Sequence, residues 1–249
     1  MQYGICPLSI VPLRAEPKNA SEQTSQLLYG EFFSILNHRK SWSKIQNTSD
    51  GYEGWVNNKH IKFIEKSIFQ KLQATNKRYS TELVDFIWKD DNILFPTPIG
   101  SLISSAQILG HRFEGKKMVD TKQKKNLVST ALHYLNSPYM WGGKSPFGID
   151  CSGFSQLAYK MIGVSLPRDA KDQAKIGSTL SFIDESQAGD LAFFHDEEDK
   201  IIHVGIILKD NHIIHASGKV RIDRLDQTGI YNNELNTHTH KLRFIKKII

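Results

Sequence analysis

Residues 141–151 dictate where the central helix of this chain can begin. The run Trp141-Gly142-Gly143-Lys144-Ser145-Pro146-Phe147-Gly148 holds three glycines and a proline, which disfavour helix and favour turns. Behind it, Phe154, Leu157, Ala158, Met161 and Ile162 recur at helical spacing until Gly163 stops the pattern. Cys151 therefore falls in the first turn of an amphipathic helix, where unpaired backbone N–H groups and the helix dipole favour a thiolate over a thiol. The competing reading is a core cysteine, because free Cys is among the most buried residue types.

Around this helix the pattern changes character along the chain. Residues 1–64 read as short strands and turns: Val11–Arg14, then 25–36, then the alternating Trp42–Gln46, then Gly54-Trp55-Val56 after the turn Ser49-Asp50-Gly51. Residues 65–112 alternate again at Leu83–Trp88, at Ile93–Phe95 and in Pro96-Thr97-Pro98-Ile99, where the prolines favour edge strands. A break at 111–116 precedes a helix over about 121–136, with Asp120 or Thr121 as cap and Leu127, Ala131, Leu132 and Leu135 on one side. A further helix covers 170–176. The remainder turns to strands: Gly189–Phe194, a hairpin of His203–Leu208 and His212–Ser217 around Lys209-Asp210-Asn211, and a last strand at Leu242–Ile245. Helices first and an antiparallel sheet second define an α+β domain.

Composition narrows the function classes. No apolar run approaches the ~18–20 residues that cross a bilayer, and the N-terminus Met1-Gln2-Tyr3-Gly4-Ile5-Cys6-Pro7-Leu8 lacks the basic, apolar and small-residue regions of a signal peptide. A cytoplasmic protein without a membrane partner is the expectation. Two cysteines, at 6 and 151, make no disulfide framework. The net charge of +6 raises the question of nucleic acid, but the densest cluster, Lys116 to Lys125, lies at the front of a helix and reads as a solvated face; no nucleic-acid partner is expected.

A cysteine hydrolase needs a thiolate, an imidazole to take and return the proton, and a group that orients the imidazole. His203 opens one strand of the hairpin and His215 lies in the other, and neighbouring strands run ~4.8 Å apart. Alternation puts His203 and Gly205 on one face, where the glycine leaves room for a ligand or another backbone. For either histidine alone, a satisfied structural His is the plainer reading; their order behind Cys151 favours chemistry.

Six segments in order strengthen that reading: 138–143 (Pro-Tyr-Met-Trp-Gly-Gly), 148–154 (Gly-Ile-Asp-Cys-Ser-Gly-Phe), 166–169 (Leu-Pro-Arg-Asp), 188–191 (Ala-Gly-Asp-Leu), 203–206 (His-Val-Gly-Ile) and 214–216 (Ile-His-Ala). With them, residues 120–249 resemble the NlpC/P60 family of papain-like cysteine peptidases, which cleave bacterial cell-wall peptides. Residues 1–64 resemble a bacterial SH3-like (SH3b) barrel, through Leu-Arg-x-Glu-Pro, Gln-Leu-Leu-Tyr-Gly-Glu, Trp-x-Lys-Ile and Asp-Gly-Tyr-x-Gly-Trp-Val, and 65–112 read as a second, divergent SH3b-like region. The pairing resembles γ-D-glutamyl-L-diamino-acid endopeptidases.

The resemblance implies roles. Cys151 matches the nucleophile, His203 the base and acid, and His215 the third polar residue that holds the His203 tautomer. Tyr139 would lend its phenol to the oxyanion hole, unless it is only a packed tyrosine before the Gly-Gly turn. Asp169 matches the acid that pairs with a substrate's free α-amine, and it also stands where a helix N-cap would. Asp150, Ser152 and Arg168 would shape the acyl side of the cleft. Tyr52 and Glu22, or Glu16 in place of Glu22, would contact the amine end from the SH3b side, against the plainer reading of ordinary barrel-surface residues. The implied substrate is a free murein tripeptide or tetrapeptide, because an acylated or glycan-attached peptide lacks the ammonium charge. No metal is supported, since the chain has two cysteines and no helical His-x-x-x-His pair, no organic cofactor is implied, and a monomer is expected. The rivals are a secreted hydrolase of intact wall, an acyltransferase with the same Cys–His pair, and a wall-fragment sensor without turnover.

Overall fold

The computed structural model describes residues 1–90, 92–117 and 123–249. The chain divides into two compact units, Met1–Val119 with Trp141–Pro146, and Asp120–Met140 with Phe147–Ile249.

The first unit opens with seven short strands: β1 (Gln2–Ile5), β2 (Ile10–Arg14), β3 (Gln23–Leu28), β4 (Phe32–His38), β5 (Trp42–Asn47), β6 (Glu53–Asn57) and β7 (Lys62–Ile64). They form one sheet in the order β3-β2-β6-β5-β4-β1-β7. Register shifts at Leu13/Arg14 and Ile35/Asn37 bend its strands, as bulges do, and the alternating inward residues Val11, Leu13, Leu27, Phe33, Ile35, Ile45 and Val56 meet in one SH3-like core. Trp55 is buried in the barrel and Trp42 half-buried.

Beyond β7 the expectation of a second SH3b-like region over 65–112 is corrected. The segment holds helix α1 (Lys66–Ala74), a two-stranded hairpin of β8 (Val84–Asp90) and β9 (Ile93–Pro98), and the short helix α2 (Ala106–Leu109). The alternation is real, but Val84, Phe86, Ile93 and Leu94 stay exposed, and Pro96 and Pro98 give β9 no donors there for another neighbour. No second barrel closes among the described residues.

Residues 141–146, including β10 (Lys144–Ser145), also belong to the first unit. Trp141 donates its indole N–H to Glu22 Oε1 at 2.6 Å, and the Lys144 N–H reaches Gln26 Oε1 at 2.8 Å. Gly142 sits at φ +73°, and a Cβ there would lie 2.4 Å from the Gln23 carbonyl oxygen, so only glycine fits. Lys144 is buried 3.7 Å from Glu31 and 4.0 Å from Asp50.

In the second unit, helix α3 (Lys124–His133) is shorter than the sequence pattern implies. Leu127 and Ala131 are buried, whereas Leu132 and Leu135 are exposed; the expected cap at Asp120 or Thr121 lies outside the described residues. After β11 (Gly148–Ile149) comes α4 (Cys151–Lys160), then α5 (Ala170–Gln173). Helix α4 is buried from Cys151 to Tyr159, so the amphipathic pattern understates its burial; the edge of Tyr134 packs against Phe154 on one side. The strands β12 (Ser178–Leu180), β13 (Leu191–His195), β14 (Ile201–Ile207), β15 (His212–Ser217), β16 (Lys219–Leu225), β17 (Gly229–Asn232) and β18 (Thr237–Lys247) form a sheet in the order β12-β18-β13-β14-β15-β16-β17. Strand β18 pairs with β17 through Thr237–Lys241 and with β13 through Lys241–Lys246, so the sheet curls round on itself. Its inner residues Ala192, Phe194, Ile207, Ile213, Leu225, Ile230 and Ile245 form one core cluster.

Candidate active site

The start of α4 is fixed by Asp150. Its backbone is extended (φ −94°, ψ 174°) and its Oδ1 accepts the Gly153 N–H at 2.7 Å, a cap interaction of about 0.5–2 kcal/mol. The same carboxylate takes two hydrogen bonds from Arg168, at 3.0 and 2.6 Å, while Arg168 also donates to Ser152 Oγ at 2.9 Å. All three are buried. Asp150, Ser152 and Arg168, expected on the acyl side of the cleft, are bonded to one another and brace the turn that carries Cys151.

Cys151 is 7% exposed. Burial, and then the Asp150 carboxylate, push its thiol up to about 12, against hydrogen bonds from the backbone of Val204 and Ser152 and the charge of Arg168. The expectation of a thiolate at the helix start is therefore reversed for the resting protein. A helix terminus contributes at most about 2 kcal/mol to a charge, whereas removing an ion from water costs several. The Val204 hydrogen bond also places the sulfur at β14, the strand that carries His203.

Strands β14 and β15 meet through a tight turn at Lys209-Asp210-Asn211, where Asp210 and Asn211 have φ of 56° and 55°, the signature of a two-residue hairpin turn. The register Ile206↔Ile214 and Ile207↔Ile213 puts Gly205 and His215 on one face. The expected room at Gly205 is real but is taken by the protein itself: a Cβ there would stand 2.7 Å from Ile213 Cδ1 and 2.9 Å from His215 Cβ. Gly205→Ala should thus displace His215. We expect a loss of about 1–3 kcal/mol from overpacking together with a lower kcat, read by calorimetry and steady-state rates; an unchanged melting temperature and rate would contradict this packing.

His203 Nε2 lies 2.9 Å from His215 Nδ1, and His215 Nε2 lies 3.0 Å from Asp223 Oδ2. Arg221 closes the series with Nε on Oδ2 at 2.7 Å and a terminal nitrogen on Oδ1 at 3.0 Å. Burial holds His203 well below the ordinary imidazole range, helped by His215 and His240; burial also lowers His215, although Asp223 pulls the other way. Burial would raise Asp223, but its bonds from His215 and Arg221 hold it below the usual carboxylate range. His240 stacks on His203 with centroids 4.3 Å apart, and burial lowers it to about 4. Two neutral rings therefore surround the imidazole of His203, whose Nδ1 is the nitrogen not used on His215.

Tyr139 is held by its own backbone N–H on the Gly218 carbonyl at 3.0 Å and by a parallel bridge to Ile149. Burial, then the proximity of Cys151 and Asp150, push its phenol up to about 12, so it stays a donor near the sulfur. Asp169 occupies the N-cap position of α5 but makes no side-chain cap bond. It is partly exposed, 4.0 Å from Lys171, and burial raises its carboxyl despite Arg168 and Lys171. Tyr52 and Glu22 lie in the first unit: Tyr52 packs against the barrel core, Glu22 accepts from Trp141, and Glu16 is paired with Lys18 at the surface.

The sequence reading missed Asp223, Arg221 and His240. Asp223 carries a faint signal, an acidic residue in a strand with buried neighbours at Val220 and Leu225. His240, in Thr-His-Thr-His, carries none.

The chain is similar to known proteins in sequence and in fold. The NlpC/P60 family model matches residues 136–239, and the model of the bacterial dipeptidyl-peptidase Sh3 domain matches 13–61. The chain is 32% identical over 242 residues to the gamma-D-glutamyl-L-lysine dipeptidyl-peptidase of Bacillus subtilis, covering 85% of this chain and 78% of that one. It is 30% identical over 262 residues to dipeptidyl-peptidase 6 of Lysinibacillus sphaericus, covering 90% and 93%. In fold it is similar to the crystal structure of an NlpC/P60 family protein from Bacillus cereus, with a TM-score of 0.78 and 17% identity over 99% of both chains.

Proposed function

The chain belongs to the NlpC/P60 family, and from that premise we propose that it is a cysteine endopeptidase hydrolysing the bond between γ-D-glutamate and a diamino acid in free murein peptides. The observation that carries this reading is the buried series His203–His215–Asp223 beside Cys151, because it commits one ring nitrogen of His203 and leaves the other for the sulfur. The name of the Bacillus subtilis relative supports the class of bond, and that of the Lysinibacillus sphaericus relative a dipeptidyl-peptidase activity.

In the proposed reaction the Cys151 thiol passes its proton to His203 Nδ1 as the sulfur attacks the γ-carbonyl carbon. The Cys151 backbone N–H and the Tyr139 phenol donate to the developing oxyanion, a contribution of roughly 10²–10³ in rate for one such donor. His203 returns the proton to the diamino-acid nitrogen as the C–N bond breaks, leaving a thioester. A water then gives a proton to His203, adds to the thioester carbon, and the C–S bond breaks with the proton going back to sulfur. Lowered histidines suit this cycle, since a neutral imidazole is the competent base at neutral pH.

Asp169 is the proposed partner for the substrate's α-ammonium, being partly exposed and not spent on a cap. The test is hydrolysis of L-Ala-γ-D-Glu-diaminopimelate beside its N-acetylated form. Loss of a charge-assisted hydrogen bond is worth about 1.5–3 kcal/mol, so kcat/KM should fall roughly 10- to 100-fold on acetylation. Equal cleavage of both would overturn the role of Asp169 and favour a hydrolase of intact wall; transfer to an added amine in preference to water would favour an acyltransferase. The same reading places the protein in the cytoplasm, and its recovery in the wall or medium fraction would overturn that part.

A further inference from the structure

We infer that Asp223, clamped by Arg221, is the positioning residue that sets the tautomers of both histidines and thereby exposes a bare Nδ1 on His203. The inference rests on the hydrolytic reading only for its kinetic readout.

Protons can be counted along one line of atoms, from Arg221 to His203. Asp223 Oδ2 receives Arg221 Nε–H at 2.7 Å and Oδ1 receives a second N–H at 3.0 Å. A carboxylate held in this fork is ionised and can only accept. His215 Nε2, 3.0 Å from Oδ2, must therefore carry a hydrogen. A neutral imidazole has one N–H, so His215 Nδ1 is an acceptor. His203 Nε2, 2.9 Å from that Nδ1, must donate in turn. The single proton of neutral His203 is then on Nε2, and Nδ1 keeps its lone pair for the Cys151 proton.

A His–His contact alone has no such direction. Each neutral ring can donate or accept through either nitrogen, so the pair has two self-consistent arrangements, one of which puts the proton on His203 Nδ1 and disables the base. The carboxylate at the far end removes that arrangement. Strand register makes the placement possible: Ile213↔Asp223 and His215↔Arg221 pair across β15 and β16, so Asp223 sits diagonal to His215 on the inner face, and its fork partner follows at the alternate position Arg221. Arg221 also reaches Glu234 at 3.1 Å, which holds the fork from its outer side.

The first measurement needs no substrate and no variant. Long-range ¹H–¹⁵N correlation spectra of the ¹⁵N-labelled wild-type protein should show Nε2–H, Nδ1-bare tautomers for both His203 and His215; Nδ1–H on either would overturn the inference. The second is Asp223→Asn. Its amide can donate to His215 Nε2 and stabilise the opposite arrangement, so the His203 signature should move to Nδ1–H and kcat should fall at least 100-fold with KM changed less than about twofold, the pattern of a wrong-tautomer triad. Asp223→Glu should regain at least tenfold of that loss, whereas Arg221→Met, which keeps the acceptor, should lower kcat less and leave the tautomers unchanged. A kcat for Asp223→Asn within threefold of wild type, or a loss that follows a lowered melting temperature while the tautomers stay as in the wild type, would make Asp223 structural only.

Discussion

Cys151→Ala is expected to lower turnover of the free peptide by roughly 10⁴-fold or more, the scale on which loss of a nucleophile acts when the remaining groups work as a unit. The fold should survive. The residue is small, and truncating it removes one buried atom at a cost of about 1 kcal/mol, or about 2–4 °C in the melting temperature of a chain this long. Cys151→Ser should be almost as inactive, because a hydroxyl is a far weaker acid than a thiol and His203 is a weak base in its buried setting. Steady-state hydrolysis with calorimetry on the same samples checks both; more than about 1% residual activity in the alanine variant would remove Cys151 from the chemistry.

Arg168→Met is expected to have the largest effect on stability. Arg168 and Asp150 are both buried and joined by two hydrogen bonds; removing one partner of such a pair costs about 3–5 kcal/mol because the other charge is left without compensation. The transition of the second unit should fall by about 6–20 °C. Activity should fall as well, since Asp150 also caps the turn that holds Cys151. In the double variant Asp150→Asn/Arg168→Met neither charge of the pair is left buried, so it should melt above the single variant, and the difference measures the coupling. A single variant that melts within 2 °C of wild type would mean that water or another group replaces the guanidinium.

These expectations draw on residues that were legible to different degrees. The helix start at Cys151 could be read because glycines and a proline end abruptly at Asp150, and the two histidines because alternation and a turn-forming Asp-Asn pair fix a hairpin from sequence alone. Those signals are local. Asp223 and His240 join the site through β16 and β18; the tight turn into β16 at Ser217-Gly218 is visible, but neither the placement of Asp223 diagonal to His215 nor the pairing of β18 with β13 is announced by a local signal. The Cys151 thiol departs from the thiolate expectation for a related reason. A helix N-terminus is visible in sequence, but the burial that outweighs it comes from packing α4 on all sides. The error over 65–112 is different again. Alternating apolar residues define strands, but only neighbours decide whether the apolar face is covered, and here Val84, Phe86, Ile93 and Leu94 are left in the open.

The raised Cys151 thiol bears on how long such a protein lasts as well as on how it reacts. Peroxides and electrophiles consume thiolates, and a low-pKa exposed cysteine starts up the oxidation ladder toward sulfenic and sulfinic acid whenever it is idle. Burial holds Cys151 toward the thiol, pushed up to about 12, and in the proposed reaction it becomes nucleophilic only as His203 takes its proton. In that reaction the burial that raises the thiol also keeps the sulfur from oxidants between turnovers, at the expense of nucleophilic strength at rest.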